Sequence, residues 1–229
     1  MLKEQIDSIG EEVVACALSC KGVPCEGVQH NRSQGILPRC LFLELEEERE
    51  PQQQGCVVVG INPGESTEKE RDYFRQSGCS YKEVREHFLN EFVRTENRYY
   101  GHLREFVTEI GLAGPILWSD VAKCEKAHDA KEVPLQTLRT CASYFLRREL
   151  EAAPGDWPVI GVGKDAYTAL AYLAPTRAVL GIPHPTGSRG HFAGLSRNGR
   201  LREEVIAQAH RVLAKKSASW LPEVLKTPR

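Results

Sequence analysis

The sequence predicts an α/β protein: a three-layer α/β/α sandwich around a central parallel sheet. Three observations lead there. Cys56-Val57-Val58-Val59-Gly60 is a continuous apolar, β-branched run bounded by turn residues, the pattern of a strand buried on both faces. Pro158-Val159-Ile160-Gly161-Val162-Gly163 repeats the pattern and passes directly into an alanine-rich helical stretch, residues 165–173. Strands that alternate with helices in this way imply a parallel sheet covered on both sides. At 229 residues the chain suits one such domain with a full core, whereas two would each be small. Residues 1–229 therefore read as one domain, with an N-terminal helix and cysteine loop (1–35) and a C-terminal tail (218–229).

From the N-terminus, residues 3–19 carry Ile6, Ile9, Val13, Val14 and Leu18 at helical spacing, and Gly22, Pro24 and Gly27 end that helix in a cysteine-bearing loop. Residues 36–45 read as a strand, and a Gln-rich turn at 51–55 leads into Cys56. The polar stretch 66–80 is weakly patterned and is a candidate pocket cover. Helical patterns follow over 81–92 and 99–110, the second stopped by Gly111. Residues 115–121 read as a strand, 122–133 as a charged loop holding Cys124, and 135–150 as a helix holding Cys141. Residues 178–182 form a further strand that runs into His184-Pro185-Thr186-Gly187-Ser188-Arg189, and a helix over 201–214 precedes the tail. The Gly- and Pro-rich loops after three strands are expected on one rim, the carboxyl edge where open α/β sheets bind ligands.

A net charge of −1 gives no global basic field for nucleic acid. The average hides an asymmetry: from residue 177 onward ten Lys and Arg face three Glu, and acid concentrates at 44–50. A basic C-terminal quarter suits a polyanion, although a solvated helix face accounts for it equally well. No basic segment followed by an apolar core opens the chain, and no run approaches a membrane span, so a cytoplasmic protein without a membrane partner is expected. Eight cysteines in a reducing compartment are then buried thiols or metal ligands rather than disulfides.

Gly161-Val162-Gly163-Lys164-Asp165-Ala166 has the spacing of a dinucleotide loop, but no acid lies between Ala166 and Glu203 to take ribose hydroxyls. A tight strand-to-helix turn is the better reading. Asn62 and His184 each precede a proline in a loop and would individually be turn or surface residues. Their expected place on the same rim makes them candidates for chemistry.

Gly60-Ile61-Asn62-Pro63-Gly64 resembles the first motif of the uracil-DNA glycosylase superfamily, in the form found in its mismatch-specific uracil and thymine glycosylase branch. His184-Pro185-Thr186-Gly187 resembles the second motif, the His-Pro-Ser loop. Between them, Trp118-Ser119-Asp120-Val121-Ala122-Lys123-Cys124, Cys141, the stretch 144–150 and the stretch 158–166 are similar to the matching block of the iron-sulfur branch. The resemblance covers about residues 20–214. Each motif alone is unspecific, and their order and spacing carry the weight.

The resemblance implies a 4Fe-4S cluster, its last two ligands on a loop and then a helix, as with Cys124 and Cys141, between which sixteen residues lie. The first two form a close N-terminal pair. Here Cys16, Cys20 and Cys25 are available, with three and four residues between neighbours where the family has two. Cys20 and Cys25 fit best, because Cys16 falls within the first predicted helix. Four thiolates also suit zinc, and four unrelated buried thiols are the bland alternative.

By resemblance the chain is a monofunctional DNA glycosylase of base excision repair, a monomer acting on DNA. It would hydrolyse the N-glycosidic bond of uracil, or another deaminated or damaged base, flipped out of the stack. The alternative is a weak or inactive member that binds nucleic acid or a nucleobase. Asn62 would position the attacking water and His184 would donate to the base O2. Gly60, Ile61, Pro63 and Gly64 would line the base, and Phe74 would stack on it. Ser66, Lys164, Thr186, Ser188 and Arg189 would contact DNA. Two positions depart from the pattern. Asp120 stands where the iron-sulfur branch reads the uracil edge with Asn; an ionised carboxylate only accepts, which favours an amino group over O4 unless burial keeps it protonated. Several branches fill the vacated stack with a Leu after the His-Pro loop, and here Arg189 or Phe192 would serve.

Overall fold

The described residues of the computed structural model are 2–17, 19–20, 22–39, 41–45, 53–76, 80–93, 97–186 and 190–226. In chain order the main elements are α1 (Leu2–Val14), β1 (Leu41–Glu44), β2 (Cys56–Gly60), α2 (Glu68–Gln76), α3 (Tyr81–Phe88), α4 (Arg98–Glu109) and β3 (Ile116–Asp120). They continue with α5 (Leu135–Cys141), α6 (Arg147–Ala152), β4 (Val159–Val162), α7 (Lys164–Leu173), β5 (Val179–Ile182), α8 (Glu203–Lys215) and β6 (Ala218–Trp220). A π-helical segment, Ala142–Leu146, joins α5 to α6.

The six sheet strands lie in the order β6-β5-β4-β2-β3-β1. All neighbours are parallel except β1, which runs antiparallel to β3 at the edge. The two-residue period of a strand sends alternate side chains to opposite faces, and here both faces are apolar. Phe42, Cys56, Val58, Ile116, Trp118, Ile160, Val162, Leu180 and Ile182 pack with α3, α4 and α8 on one side. Leu41, Leu43, Val57, Val59, Leu117, Val159 and Val179 pack with α1, α5, α6 and α7 on the other. This is the three-layer sandwich that the sequence predicts, and it explains why the strands read as continuous apolar runs.

Several boundaries differ from expectation. α1 ends at Val14, the last of its buried face, rather than continuing to residue 19. Residues 36–39 are not part of β1; Ile36 instead forms an isolated bridge with Asn31. The weakly patterned segment contains α2, which buries only Glu70 and Phe74 and so lacks an apolar stripe. The tail supplies β6, a short, partly buried edge strand beside β5.

Candidate active site

The connection from β2 to β3 carries α2, α3 and α4 over one face of the sheet, and the connection from β4 to β5 carries α7 over the other. Such a switch point opens a crevice outside the carboxyl ends of the strands. A cavity of about 260 Å³ lies there, lined by Gly60, Ile61, Asn62, Pro63 and Gly64 after β2, Asp120 at the end of β3, and His184 and Thr186 after β5. Phe88, Asn97, Tyr99 and Tyr100 line it from α3 and the start of α4, and Arg39, Glu65 and Glu70 complete the wall. The volume falls below the roughly 300–1,000 Å³ of drug-sized pockets, a size suited to one heterocycle.

Local structure fixes each side chain. Asn62 donates from Nδ2 to the Pro63 carbonyl at 2.7 Å, so Oδ1 is the end that can accept from a water. His184 Nδ1 lies 3.3 Å from both the Thr186 N–H and the Thr186 hydroxyl. A peptide N–H only donates, so Nδ1 accepts and the proton of the neutral ring sits on Nε2. One edge of the ring is open to solvent, but desolvation of the rest holds its pKa below the ordinary value of 6.5. The ring tilts against Tyr99, with centroids 5.0 Å apart. Asn97 caps α4 by accepting from the Tyr99 and Tyr100 N–H groups, which sets both aromatics at the cavity wall.

Asp120 is 7 % exposed, and its Oδ1 occupies the space beside Gly60 that a β-carbon would need. Its carbonyl accepts from Lys123 Nζ at 2.6 Å. Lys123 also donates to Ser119 Oγ at 2.7 Å and pairs with both oxygens of Glu149, at 2.8 and 2.9 Å, in a site closed to solvent. A second buried network braces the loop after β2. Arg39 Nη2 donates to the Gly64 carbonyl at 2.6 Å and to Glu125 Oε2 at 3.1 Å. Glu125 also accepts from the Ser66 N–H at 2.6 Å and from Gln29 Nε2 at 2.7 Å. Arg39, Lys123, Glu125 and Glu149 were not singled out by sequence, because an isolated charge in a loop or helix reads as solvated.

Other expected residues lie elsewhere. Phe74 is 0 % exposed and belongs to the core rather than to the cavity lining, whose aromatics are Phe88, Tyr99 and Tyr100. Ser66 is buried, its hydroxyl accepting from Arg71 Nε at 2.9 Å; it is a strut of the loop rather than an exposed phosphate donor. Lys164 lies outside the cavity lining, its ammonium 5.2 Å from the Tyr167 ring centroid and 5.0 Å from that of Trp220. Phe192 is buried in the core and does not project as a wedge. Ser188 and Arg189 lie outside the described residues. Gly161 lies within β4 and Gly163 makes the turn into α7, and neither lines the cavity: a β-carbon at Gly161 would strike the Tyr167 backbone, and Gly163 takes φ +91°. The basic C-terminal quarter is not one patch, since Arg197, Arg200 and Arg202 share a groove of about 1460 Å³ with Glu105, Glu109, Glu203 and Glu204.

The candidate metal ligands partly converge. Val28–Gln29 pairs with Glu125–Lys126, which draws the N-terminal loop beside the Cys124 loop. Cys25 packs against both the apolar cluster containing Cys124 and the one containing Cys141. Burial pushes the Cys141 thiol up to about 11. The Cys20 side chain is outside the described set. Among the described residues no group of three or more His, Cys, Asp or Glu is arranged to hold a metal ion. Among them, too, no helix is long and apolar enough to cross a membrane. No protein-family model matches the chain, and no curated protein matches it at a significant level.

Proposed function

We propose that the chain is a monofunctional DNA glycosylase, hydrolysing the N-glycosidic bond of uracil or another deaminated or damaged base flipped into the cavity at the carboxyl rim. One observation carries this reading: Asn62 and His184, distant in sequence, line a single base-sized cavity together with Asp120. The aromatic rings of Phe88, Tyr99 and Tyr100 offer a stacking surface. As the bond to the sugar lengthens, negative charge builds on the base. The Nε2–H of neutral His184 donates to a ring carbonyl oxygen there, stabilising the leaving group without a net proton transfer. Asn62 Oδ1 holds the water. An amide is a poor base, so this water adds to a sugar already close to an oxocarbenium ion, and after bond formation its proton passes through solvent to the departed base anion, giving the neutral base and the sugar hydroxyl.

A structural 4Fe-4S cluster, or zinc, on Cys20, Cys25, Cys124 and Cys141 belongs to the same proposal, supported by the packing of Cys25 against both the apolar cluster that contains Cys124 and the one that contains Cys141. The described thiols alone do not make a ligand set. DNA as partner, a monomer and a cytoplasmic location complete the reading.

The carboxylate of Asp120, standing where an amide would read uracil, favours a second reading: a nucleobase- or nucleic-acid-binding protein without turnover. Single-stranded and mismatched oligonucleotides carrying uracil, hypoxanthine or xanthine separate the two. Abasic product from at least one is expected of the enzyme. No product from any, with DNA binding unchanged by Asn62→Ala, leaves the binding protein.

A further inference from the structure

We propose that Arg39 reads the base together with Asp120, its guanidinium donating to a ring carbonyl while the Asp120 carboxylate accepts from the adjacent ring N–H. The cavity then takes bases with a lactam edge, such as uracil, hypoxanthine and xanthine, over the amino-substituted cytosine and adenine. This deepens the glycosylase reading and rests on it for the ligand being a base.

Arg39 lines the cavity and is only 3 % exposed. Its Nη2 is committed to the Gly64 carbonyl and to Glu125. Its Nη1 has no hydrogen-bond partner, the Glu70 Oε1 at 3.7 Å being beyond bonding distance. Glu70 is itself engaged through Oε2, which accepts from the Thr67 N–H at 2.8 Å and the Thr67 hydroxyl at 3.0 Å. The Phe88 ring, whose centroid is 5.9 Å from Cζ, flanks the guanidinium. A buried donor without an acceptor is costly and rare in a folded protein; Nη1 is such a donor on a residue that lines the cavity, and a ligand carbonyl seated there would supply its acceptor.

The chemistry of the pair selects the edge. Arginine stays protonated in proteins and is a permanent donor; an ionised Asp120 only accepts. Uracil offers O4 beside N3–H, and hypoxanthine offers O6 beside N1–H, each complementary to a donor next to an acceptor. Cytosine and adenine present the reverse, with an amino group toward the guanidinium and a ring lone pair toward the carboxylate. Both contacts are then repulsive, and specificity arises as much from that mismatch as from the match. Deamination converts the second pattern into the first, so the pair separates a lesion from its parent base. Thymine and guanine share the lactam edge, and the pair does not discriminate against them. The preference for amino groups expected from Asp120 alone is thus reversed: the donor absent from residue 120 is supplied by residue 39.

Titration of the full chain with free uracil, hypoxanthine, cytosine and adenine, followed by amide chemical shifts, tests this. Uracil and hypoxanthine are expected to bind about tenfold more tightly than cytosine and adenine, the scale of one charged hydrogen bond. Arg39→Lys keeps a cation for Glu125 but loses the fork, and Asp120→Asn keeps the volume; each should bring the four bases to within a few-fold of one another. Wild-type protein with 4-thiouracil, whose sulfur is a weak acceptor, needs no variant and should bind about tenfold more weakly than uracil. No preference for the lactam bases, or a preference that survives both Arg39→Lys and the 4-thio substitution, overturns the inference. Base release from oligonucleotides is scored separately. Lactam preference without release removes the glycosylase reading alone, and release without lactam preference removes the Arg39 inference alone.

Discussion

Gly60 and Asp120 are register partners at the ends of adjacent parallel strands, and the Asp120 carboxylate lies where a side chain at residue 60 would begin. Gly60 has no left-handed φ to require glycine; the close approach requires it. Gly60→Ala should therefore fold, because the obstructing atom is a side-chain oxygen rather than backbone, at a cost of about 1–3 kcal/mol for overpacking. The displaced carboxylate can no longer face a base. Thermal melting should change modestly, and kcat/KM on the best oligonucleotide should fall on the order of tenfold or more. A variant with wild-type kinetics would show that the Asp120 position does not matter to turnover.

Asn62→Ala removes the acceptor for the attacking water while leaving the aromatic walls and the backbone of the loop. Base release is expected to drop on the order of 10²–10⁴-fold, the range for removing a positioned catalytic group, with DNA binding within a few-fold of wild type. A parallel loss of binding would instead assign Asn62 to loop structure. The hydrogen bond from Asn62 Nδ2 to the Pro63 carbonyl makes that control necessary.

The core and the rim were legible from sequence because their signals are local. β-branched runs named β2, β4 and β5, and their glycine and proline loops named Asn62 and His184. What escaped depends on tertiary pairing. α2 buries a carboxylate and a single ring rather than a stripe, and β6 is a strand only because it has β5 beside it. Arg39 and Glu125 lie in distant segments that read as solvated charges until the fold buries them against each other. Phe74, the stacking ring that the resemblance implies, is turned into the core by its helix, while α3 and α4 bring Phe88, Tyr99 and Tyr100 to the cavity.

His184 sets a pH dependence with a definite sign. Its folded pKa lies below 6.5, so the fold favours the neutral ring. That preference contributes its full stability above the unfolded value and is lost as pH falls through the folded value. Protonation also turns Nδ1 into a donor facing the Thr186 N–H, which removes that hydrogen bond. His30 and His87, whose pKa values are lowered chiefly by burial, act in the same direction. Melting temperature and base release should hold from pH 8 to about 7 and decline together below about 6.5. His184→Asn should lose part of the acid dependence of stability. A melting temperature that rises on acidification would contradict the lowered pKa values of these rings.

Metal content gives a direct reading of the cysteines. Protein purified without oxygen is expected to be brown and to absorb near about 400 nm from thiolate-to-iron charge transfer, with Cys124→Ser and Cys141→Ser each bleaching it. Colourless protein with stoichiometric zinc would keep the ligands and change the metal. Colourless, metal-free protein would leave Cys141 as an inert thiol, in line with a pKa raised to about 11 by burial.

The Lys123–Glu149 pair tests whether the end of β3 needs a brace. Both side chains are closed to solvent, and Lys123 ties Glu149 to the Asp120 carbonyl and Ser119. Removing one partner strands the other charge, so Lys123→Met alone should cost about 3–5 kcal/mol in urea denaturation. Replacing both, as Lys123→Met with Glu149→Leu, should recover most of that loss, because a well-packed apolar pair substitutes for a buried ion pair at little net cost. Recovery of stability is not recovery of the brace. The Asp120 carbonyl would still lack its ammonium donor, and the carboxylate above Gly60 would sample more orientations. The double variant should thus fold nearly as well as wild type while releasing base more slowly, with kcat reduced more than KM. If kcat returned with stability, Lys123 would be a folding element alone, and the position of Asp120 would be held by its contact with Gly60.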